Sequence, residues 1–532
     1  MRVEGGGIER GKGYGGVRLL VARFWVFAIA SQAGVPWPVN HPCESMLRIT
    51  PLLLLLVLTS CAPDITPERP NIVLLFADDQ RADAIAAYGN EFIKTPTLDR
   101  LAATGMNFRD AHVMGSIHGA VCQPSRAMLM TGRSLYHVYA QLDTVQTFPQ
   151  QMQEHGYVTF GTGKWHQSQA SFAKSFSVGR NVFFGGMSSH DAVPTRQMLP
   201  DGSFTDVDSL SYSTDLFADA AIEFIDQHAA SDTSAPFLAY VSFTTPHDPR
   251  TPPQPYMDWY ADMDVPLPPN FMPIHPFHNG WMTGRDEQLA RWPRPEEDIK
   301  DQIKEYYGLI SHMDARIADI LAALDRNGLH DNTIVIYAAD NGLALGSHGL
   351  LGKQSLYEHS NRVPMIISGP GIPAGSSDAL VYLYDLYPTI AGWTGMPLLE
   401  GTDGSDLRGV WERGDEGPRD VLYTVYEDIH RSVRQGPWKL IHYPRLDRQQ
   451  LFNLRDDPHE MNDLSGHAEQ AERLSSMMAI MVEQHEAFDD PHSLTIHPDS
   501  LDSEVFDYAN TRRWVDRWQP QWVIDKYFPD LE

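Results

Sequence analysis

Asn71-Ile72-Val73-Leu74-Leu75-Phe76-Ala77 is apolar from its second residue onward and stops at the pair Asp78-Asp79. A continuous apolar run of this length reads as a strand buried on both faces, the pattern of a sheet covered by helices. Three more runs repeat the form. Val158 to Gly161 leads to Gly163-Lys164-Trp165-His166, Pro236 to Phe243 leads to Thr245-Pro246-His247, and Ile334 to Ala339 leads to Asp340-Asn341. Helical patterns alternate with them: Tyr306, Ile310, Met313, Ile317, Ile320 and Leu324 place a helix over Glu305 to Asn327, closed by Gly328. The alternation predicts an α/β fold, and in open α/β sheets ligands gather at the carboxyl ends of the strands. His312 falls inside the helix and reads as a helix-surface residue, not a ligand.

The strand endings carry chemistry. Adjacent carboxylates such as Asp78 and Asp79 are costly to hold together unless a cation neutralises them. Asp340 and Asn341 supply a third carboxylate and an amide oxygen. Hard oxygen donors without a cysteine or histidine pair suit Ca²⁺, and less well Mg²⁺, rather than zinc.

Cys122-Gln123-Pro124-Ser125-Arg126 opens a second decisive segment, continued by Ala127 to Met130 and ended by Thr131-Gly132. Pro124 suits a first helical turn and Gly132 a C-terminal stop, so Cys122 is expected at a helix N-terminus. Free N–H groups and the positive end of the helix dipole favour an anion there.

This segment resembles the C-x-P-S-R signature of the type I, formylglycine-dependent sulfatases of the alkaline phosphatase superfamily. The resemblance implies a large mixed sheet flanked by helices, with a smaller C-terminal subdomain of antiparallel strands and a helix. It also implies that Cys122 is oxidised to formylglycine, whose hydrate is the nucleophile. Gly156 to His166 is similar to the family's second signature, although Gln167-Ser168 stands where the family often has Leu-Gly.

On the same resemblance Asp78, Asp79, Asp340 and Asn341 bind calcium, which also contacts residue 122. Lys164, His247 and Lys353 bind the sulfate, Arg126 steadies the formylglycine, and His166 is the base that expels sulfate from the covalent intermediate. Asp340 helps to deprotonate the nucleophile, and His247 or Lys353 protonates the leaving alcohol. The match runs from Asn71 to about Leu464, including Trp438-Lys439-Leu440-Ile441. The expected activity is hydrolysis of sulfate esters on polysaccharides or oligosaccharides: algal glycans such as ulvan or carrageenan, or glycosaminoglycans. The alternatives are a phosphate mono- or diester or phosphonate hydrolase of the same superfamily, and a catalytically silent, lipid-anchored glycan-binding protein.

Specificity is expected on loops. The stretches 170–210 and 249–296 are the candidate walls, with Arg180, His190, Arg250, His275, His278 and Arg294 as possible sugar contacts and His118 as a substrate-binding residue close to Cys122.

A formal net charge of -28 opposes binding to polyanions, and no lysine- or arginine-rich run points to nucleic acid. Any anionic substrate must therefore be held by local cations or metal. Only three cysteines occur. Met46 to Arg48, the leucine run 52–56, and Leu58-Thr59-Ser60-Cys61 resemble a bacterial lipoprotein signal with a lipobox. Residues 1–45 would then be an upstream extension, 46–60 the signal peptide, and Cys61 the lipidated first residue, tethered to the cell envelope at the periplasm or outer-membrane surface. Membrane contact is expected through that anchor alone. Cys43 would be removed and Cys122 modified, which leaves no thiol pair for a disulfide.

The catalytic domain is expected over 70–405 and a C-terminal subdomain and tail over 415–532, with strands at Val421 to Tyr426, Trp438 to His442 and Leu451 to Asn453 and a helix near Ala468 to His485. The implied partners are a sulfated carbohydrate, a formylglycine-generating or anaerobic sulfatase-maturating enzyme, and the lipoprotein processing machinery.

Overall fold

Buried apolar strands set the architecture. The computed structural model describes residues 69–495, except 140, 209 and 210, together with 519–528. The upstream extension, the signal segment, Cys43 and Cys61 lie outside the described residues.

The strands are β1 (Asn71–Ala77), β2 (Met106–Phe108), β3 (Ala111–His112), β4 (Gly115–Ser116), β5 (Val158–Lys164), β6 (Val178–Phe183), β7 (Phe237–Ser242), β8 (Thr333–Ala339), β9 (Met365–Ser368), β10 (Gly375–Ser377), β11 (Val381–Tyr382), β12 (Val421–Tyr426), β13 (His430–Gln435), β14 (Trp438–Tyr443) and β15 (Arg448–Asn453). Eight of them form one mixed sheet in the order β10-β2-β9-β8-β1-β7-β5-β6. At its centre β8, β1, β7 and β5 are parallel, so all four end on the same edge. Every residue of β1, β7 and β8 is buried. Each large aliphatic side chain placed there contributes about 1.5–3 kcal/mol relative to exposure.

The longer helices are α1 (Pro96–Thr104), α2 (Cys122–Thr131), α3 (Ser213–Ala230), α4 (Glu296–Arg326), α5 (Leu386–Thr394) and α6 (Ala471–Ala487). Helix α3 packs on β5, β6 and β7 and against α4, while α1 packs on β9 and β10. Helix α2 ends as its sequence requires: Gly132 is left-handed at φ 66° and its N–H closes on the Met128 carbonyl. No described helix is long and apolar enough to cross a membrane.

A second sheet, β15-β14-β13-β12-β4, is antiparallel apart from the β12–β4 pairing. Its strands β12 to β15 begin after the expected boundary between 405 and 415, but it recruits Gly115 and Ser116 from the segment just before α2. Helix α6 covers it, burying Met477 and Met481. Lys439 and Arg434 on this sheet reach Glu358 at 2.8 and 3.3 Å, a buried ionic contact to the main sheet's loops.

Three expectations need correction. Helix α4 starts at Glu296, well before Glu305, because Pro295 precedes it and Glu296, Glu297 and Asp298 favour its positive end. Strand β13 was not expected, since its sequence His430 to Gln435 mixes charged and apolar residues; four of its residues are nevertheless buried between β12 and β14. His312 is buried rather than on a surface: its Nε2 lies 3.0 Å from Asp215 Oδ1 on α3, where the two helices meet.

Candidate active site

The four parallel strands deliver their terminal residues to one point facing the first turn of α2. Asp78 and Asp79 follow β1, Lys164 ends β5, His247 follows β7, and Asp340-Asn341 follow β8; all are buried. Lys353 arrives on the loop between β8 and β9. Side chains alternate along a strand, and Trp165 fixes which way this one points. The indole packs edge-on against Phe172 and Phe176 and donates its Nε1 hydrogen to Ser171 at 2.9 Å. Lys164 and His166, on either side of this plug, both meet Cys122. Asp79 and His166 hold positive φ, 67° and 56°, a strained conformation for non-glycine residues that clusters at functional sites.

Cys122 Sγ lies 3.2 Å from His166 Nδ1 and 3.4 Å from Lys164 Nζ. Lys164 Nζ also lies 2.5 Å from Asp78 Oδ2, and Lys353 Nζ lies 2.6 Å from Asp79 Oδ1. Arg126, fully buried, donates from Nε and Nη2 to Asp340 Oδ2 at 3.1 and 2.8 Å. Its Nη1 serves the Lys164 carbonyl at 2.7 Å, the Tyr240 hydroxyl at 3.1 Å and Ser242 Oγ. Asp79 N–H donates to Asp340 Oδ1 at 3.0 Å, and Asn341 Nδ2 donates to Asp79 Oδ1 at 2.8 Å. His247 places Nε2 3.6 Å from Asp79 Oδ2, and its Nδ1 lies 2.7 Å from the Asp248 carbonyl.

These contacts separate the protonation behaviour of neighbouring groups. Burial alone would raise Asp78, but Lys164, His247 and Arg126 outweigh it and hold this carboxyl well below its usual range. Asp340 moves upward instead, through burial and the adjacent Asp78, against Arg126 and Lys164. Burial and the charge of Lys164 push His166 down to about 2, so its imidazole is neutral. Burial raises the Cys122 thiol, opposed by Lys164 and Lys353.

The residues fit a hard divalent cation. Asp78 Oδ1 and Asn341 Oδ1 are buried and accept no hydrogen bond. Two orphaned oxygens in a carboxylate cluster call for a positive partner. Asp78, Cys122 and Asp340 offer ligand atoms within 4.8 Å of one another, and so do Asp78, Asp79 and His247.

A pocket of about 270 Å³ opens above Cys122, with His166, His247 and Lys353 in its lining. Both expected wall segments contribute to it, but through residues that the sequence did not single out: Gly186 and Met187 from the first, Trp281, Arg285 and Asp286 from the second, with Gln354 beside Lys353. A Cβ at Gly186 would lie 2.6 Å from His166 Nε2, a close approach that no local sequence signal marks.

The expected sugar contacts have other employment. Arg180 pairs with Glu223, and His190 is buried between Ser213 and the His247 carbonyl. Arg250 bonds Gln302, His275 bonds the His348 carbonyl, and Arg294 is buried on Glu287. His278 Nδ1 accepts the Gly280 N–H. Near Cys122 the pocket is lined by Gly119 and Ala120, while His118 Nδ1 accepts the Ala120 N–H at 3.3 Å.

The sulfatase family profile matches residues 70–396, and that of the N-sulphoglucosamine sulphohydrolase C-terminal region matches 346–487. An N-acetylglucosamine-6-O-sulfatase of Bacteroides thetaiotaomicron is 27% identical over 84% of this chain and 93% of its own. An ulvan-active sulfatase of Formosa agariphila is 28% identical over 76% of this chain and 78% of its own. The solved structure of BT4656 in complex with its substrate D-glucosamine-2-N,6-O-disulfate superposes with a TM-score of 0.67 at 25% identity, covering 80% of this chain and 99% of that one. With its alkaline-phosphatase-like mixed sheet and smaller antiparallel domain, the chain belongs to the sulfatase family of the alkaline phosphatase superfamily and is a sulfuric ester hydrolase.

Proposed function

We propose that the protein releases sulfate from sulfated glycans, with residue 122 as nucleophile and calcium at the strand-end carboxylates. The observation that carries this reading is the meeting of Cys122, at the start of α2, with His166 at 3.2 Å and Lys164 at 3.4 Å over a buried carboxylate cluster. The glycan assignment draws on the named substrates of the relatives.

Formylglycine at position 122 would supply a hydrated aldehyde as nucleophile. A calcium ion held by Asp78, Asp79, Asp340 and Asn341 would supply positive charge to the sulfate oxygens. The chain's own residues do the rest. Lys164 and Lys353 hold the anion in a dry, pre-arranged field, where positioning and charge carry most of the work of sulfuryl as of phosphoryl transfer. Arg126 anchors Asp340 and the Lys164 carbonyl, so the first turn of α2 and the ends of β5 and β8 keep one geometry. The Asp248 carbonyl receives His247 Nδ1–H, which turns Nε2 toward the pocket as a proton donor to the leaving alcohol. His166 Nδ1 stands where a proton leaves residue 122.

Sulfate release from defined algal and glycosaminoglycan oligosaccharides, read by ion chromatography beside matched aryl sulfates and aryl phosphates, tests the reading. Mass analysis of the peptide spanning residue 122 must show conversion of thiol to aldehyde. Phosphate turnover far above sulfate turnover would reject it, as would calcium-dependent glycan binding with no sulfate released by converted protein.

We also propose lipid anchoring at Cys61 in the bacterial cell envelope, supported by the leucine run and the Leu58-Thr59-Ser60-Cys61 segment. Cys61→Ala should move the protein from the membrane to the soluble fraction. Retention on membranes after that substitution would reject the anchor.

A further inference from the structure

His247 and Lys353 approach opposite oxygens of one carboxylate: His247 Nε2 lies 3.6 Å from Asp79 Oδ2, and Lys353 Nζ lies 2.6 Å from Asp79 Oδ1. Behind them their two loops are joined a second time. Gln354, next to Lys353, donates from Nε2 to Asp286 Oδ2 at 2.7 Å. Arg285 Nη1 donates to Asp286 Oδ1 at 3.0 Å and to Asp248 Oδ1 at 2.8 Å, and its Nη2 donates to Asp248 Oδ2. Asp248 completes the chain, because its carbonyl lies 2.7 Å from His247 Nδ1.

The carbonyl that fixes Nδ1 belongs to the next residue in sequence, so its direction follows the pose of the Asp248 backbone. Contacts from outside the segment set that pose. His190 Nε2 lies 2.8 Å from the His247 carbonyl, and the Arg285 guanidinium, 37 positions along the chain, grips both oxygens of the buried Asp248 carboxylate. A planar, two-point pairing of this kind fixes direction as well as distance. The Arg285 backbone is itself tied, its carbonyl accepting the Gln519 Nε2 hydrogen at 3.0 Å. Without the guanidinium, the Asp248 carboxylate, whose Oδ1 already lies 3.4 Å from His247 Nδ1, is free to compete with the carbonyl for that hydrogen and turn the ring. A catalytic ring displaced by about an ångström loses on the order of 10²-fold in rate.

We propose that Arg285 is a positioning residue for departure of the alcohol: through Asp248 it holds the His247 ring so that Nε2 faces the leaving oxygen. In that step the bond from sulfur to the alcohol oxygen breaks as the nucleophile bonds to sulfur. The electron pair stays on the alcohol oxygen, which takes the Nε2 proton while the Nδ1 hydrogen remains on the Asp248 carbonyl. The inference rests on the sulfatase reading, with His247 as proton donor.

The test is the slope of log kcat/KM against leaving-group acidity on converted, calcium-loaded protein, over aryl sulfates from para-nitrophenyl to para-methoxyphenyl. The more acidic phenol leaves with little help, whereas the less acidic one needs the proton. Arg285→Met should lower kcat/KM about tenfold or more for the para-methoxyphenyl ester and less than about threefold for the para-nitrophenyl ester, which steepens the slope. His247→Ala should steepen it further. Arg285→Met added to His247→Ala should leave that slope unchanged, because one residue acts through the other. A role confined to folding or to binding at the pocket wall lowers the whole series in parallel. A parallel line for folded Arg285→Met therefore overturns the inference, as does a further steepening in the His247→Ala background or a His247→Ala line parallel to wild type. Arg285→Lys, which keeps the charge and loses the fork, decides if Arg285→Met does not fold. Absence of sulfate release from every ester by the wild-type protein would instead sink the sulfatase reading.

Discussion

His166 Nδ1 lies 3.2 Å from Cys122 Sγ, although 44 positions separate the two residues in the chain. The contact joins the first turn of α2 to the end of β5, and it places a neutral imidazole against the atom that the proposed mechanism uses as nucleophile.

Replacing that atom should therefore silence the enzyme without unfolding it. Cys122→Ala is expected to reduce turnover by at least about 10³-fold with an unchanged thermal melt, since a small buried side chain is exchanged for a smaller one. Cys122→Ser should lose multiple turnover, because a plain serine ester cannot expel sulfate by re-forming a carbonyl. Steady-state sulfate release by either variant at the wild-type rate would refute the assignment.

Chelation should cost both activity and stability. Asp78 Oδ1 and Asn341 Oδ1 have no hydrogen-bond donor, so a bound cation favours the folded chain by mass action. Treatment with a calcium chelator is expected to lower Tm and abolish turnover, and calcium should restore both more fully than magnesium. Asn341→Ala should raise the calcium concentration needed for half-maximal recovery by about tenfold or more, read by titration.

Gly186→Ala separates activity from stability in a different way. The added Cβ would come within 2.6 Å of His166 Nε2, the outer end of a ring that can swing aside. Turnover should fall by about 10- to 100-fold, as expected when a catalytic ring is displaced by a fraction of an ångström to an ångström. The melt should barely change. A normal kcat in a folded Gly186→Ala protein would show that the ring position is not critical.

Acid should loosen the seam between the main sheet's loops and the C-terminal sheet. Burial depresses His275 to about 3 and His348 and His430 to about 4, all below the ordinary histidine value near 6.5. They are neutral when folded and bind protons when unfolded. Their contribution is fully present above about pH 6.5 and is lost as pH falls toward 4, by up to about 1.4 kcal/mol per pH unit for each histidine. Urea melts between pH 7.5 and 5 should show this slope, and His430→Gln should flatten it. A pH-independent midpoint would contradict the burial of these rings.

The site was more legible in the sequence than its walls were. Asp78, Asp79, Lys164, His247, Asp340 and Asn341 sit at the ends of strong apolar runs, where period and position both speak. Cys122 and Lys353 needed their local motifs. Trp281, Asp286 and Gly186 carried no signal because their place in the pocket lining arises from what faces them across it. Arg180, Arg250 and Arg294 read as available because a charged loop residue looks so until its partner is known, and each meets one within the chain. Strand β13 was hidden because its burial comes from β12 and β14 rather than from its own alternation.

The sequence by itself determined the α/β pattern, the residues gathered at the strand ends and the helix that begins at Cys122, because those follow from local period, capping and turn chemistry. Only the tertiary structure decided which carboxylate each lysine meets, that Trp165 turns Lys164 and His166 toward Cys122, and that Arg285 is neutralised before any substrate arrives. These depend on contacts between segments far apart in the chain, where close packing leaves one arrangement and no local rule specifies the partner.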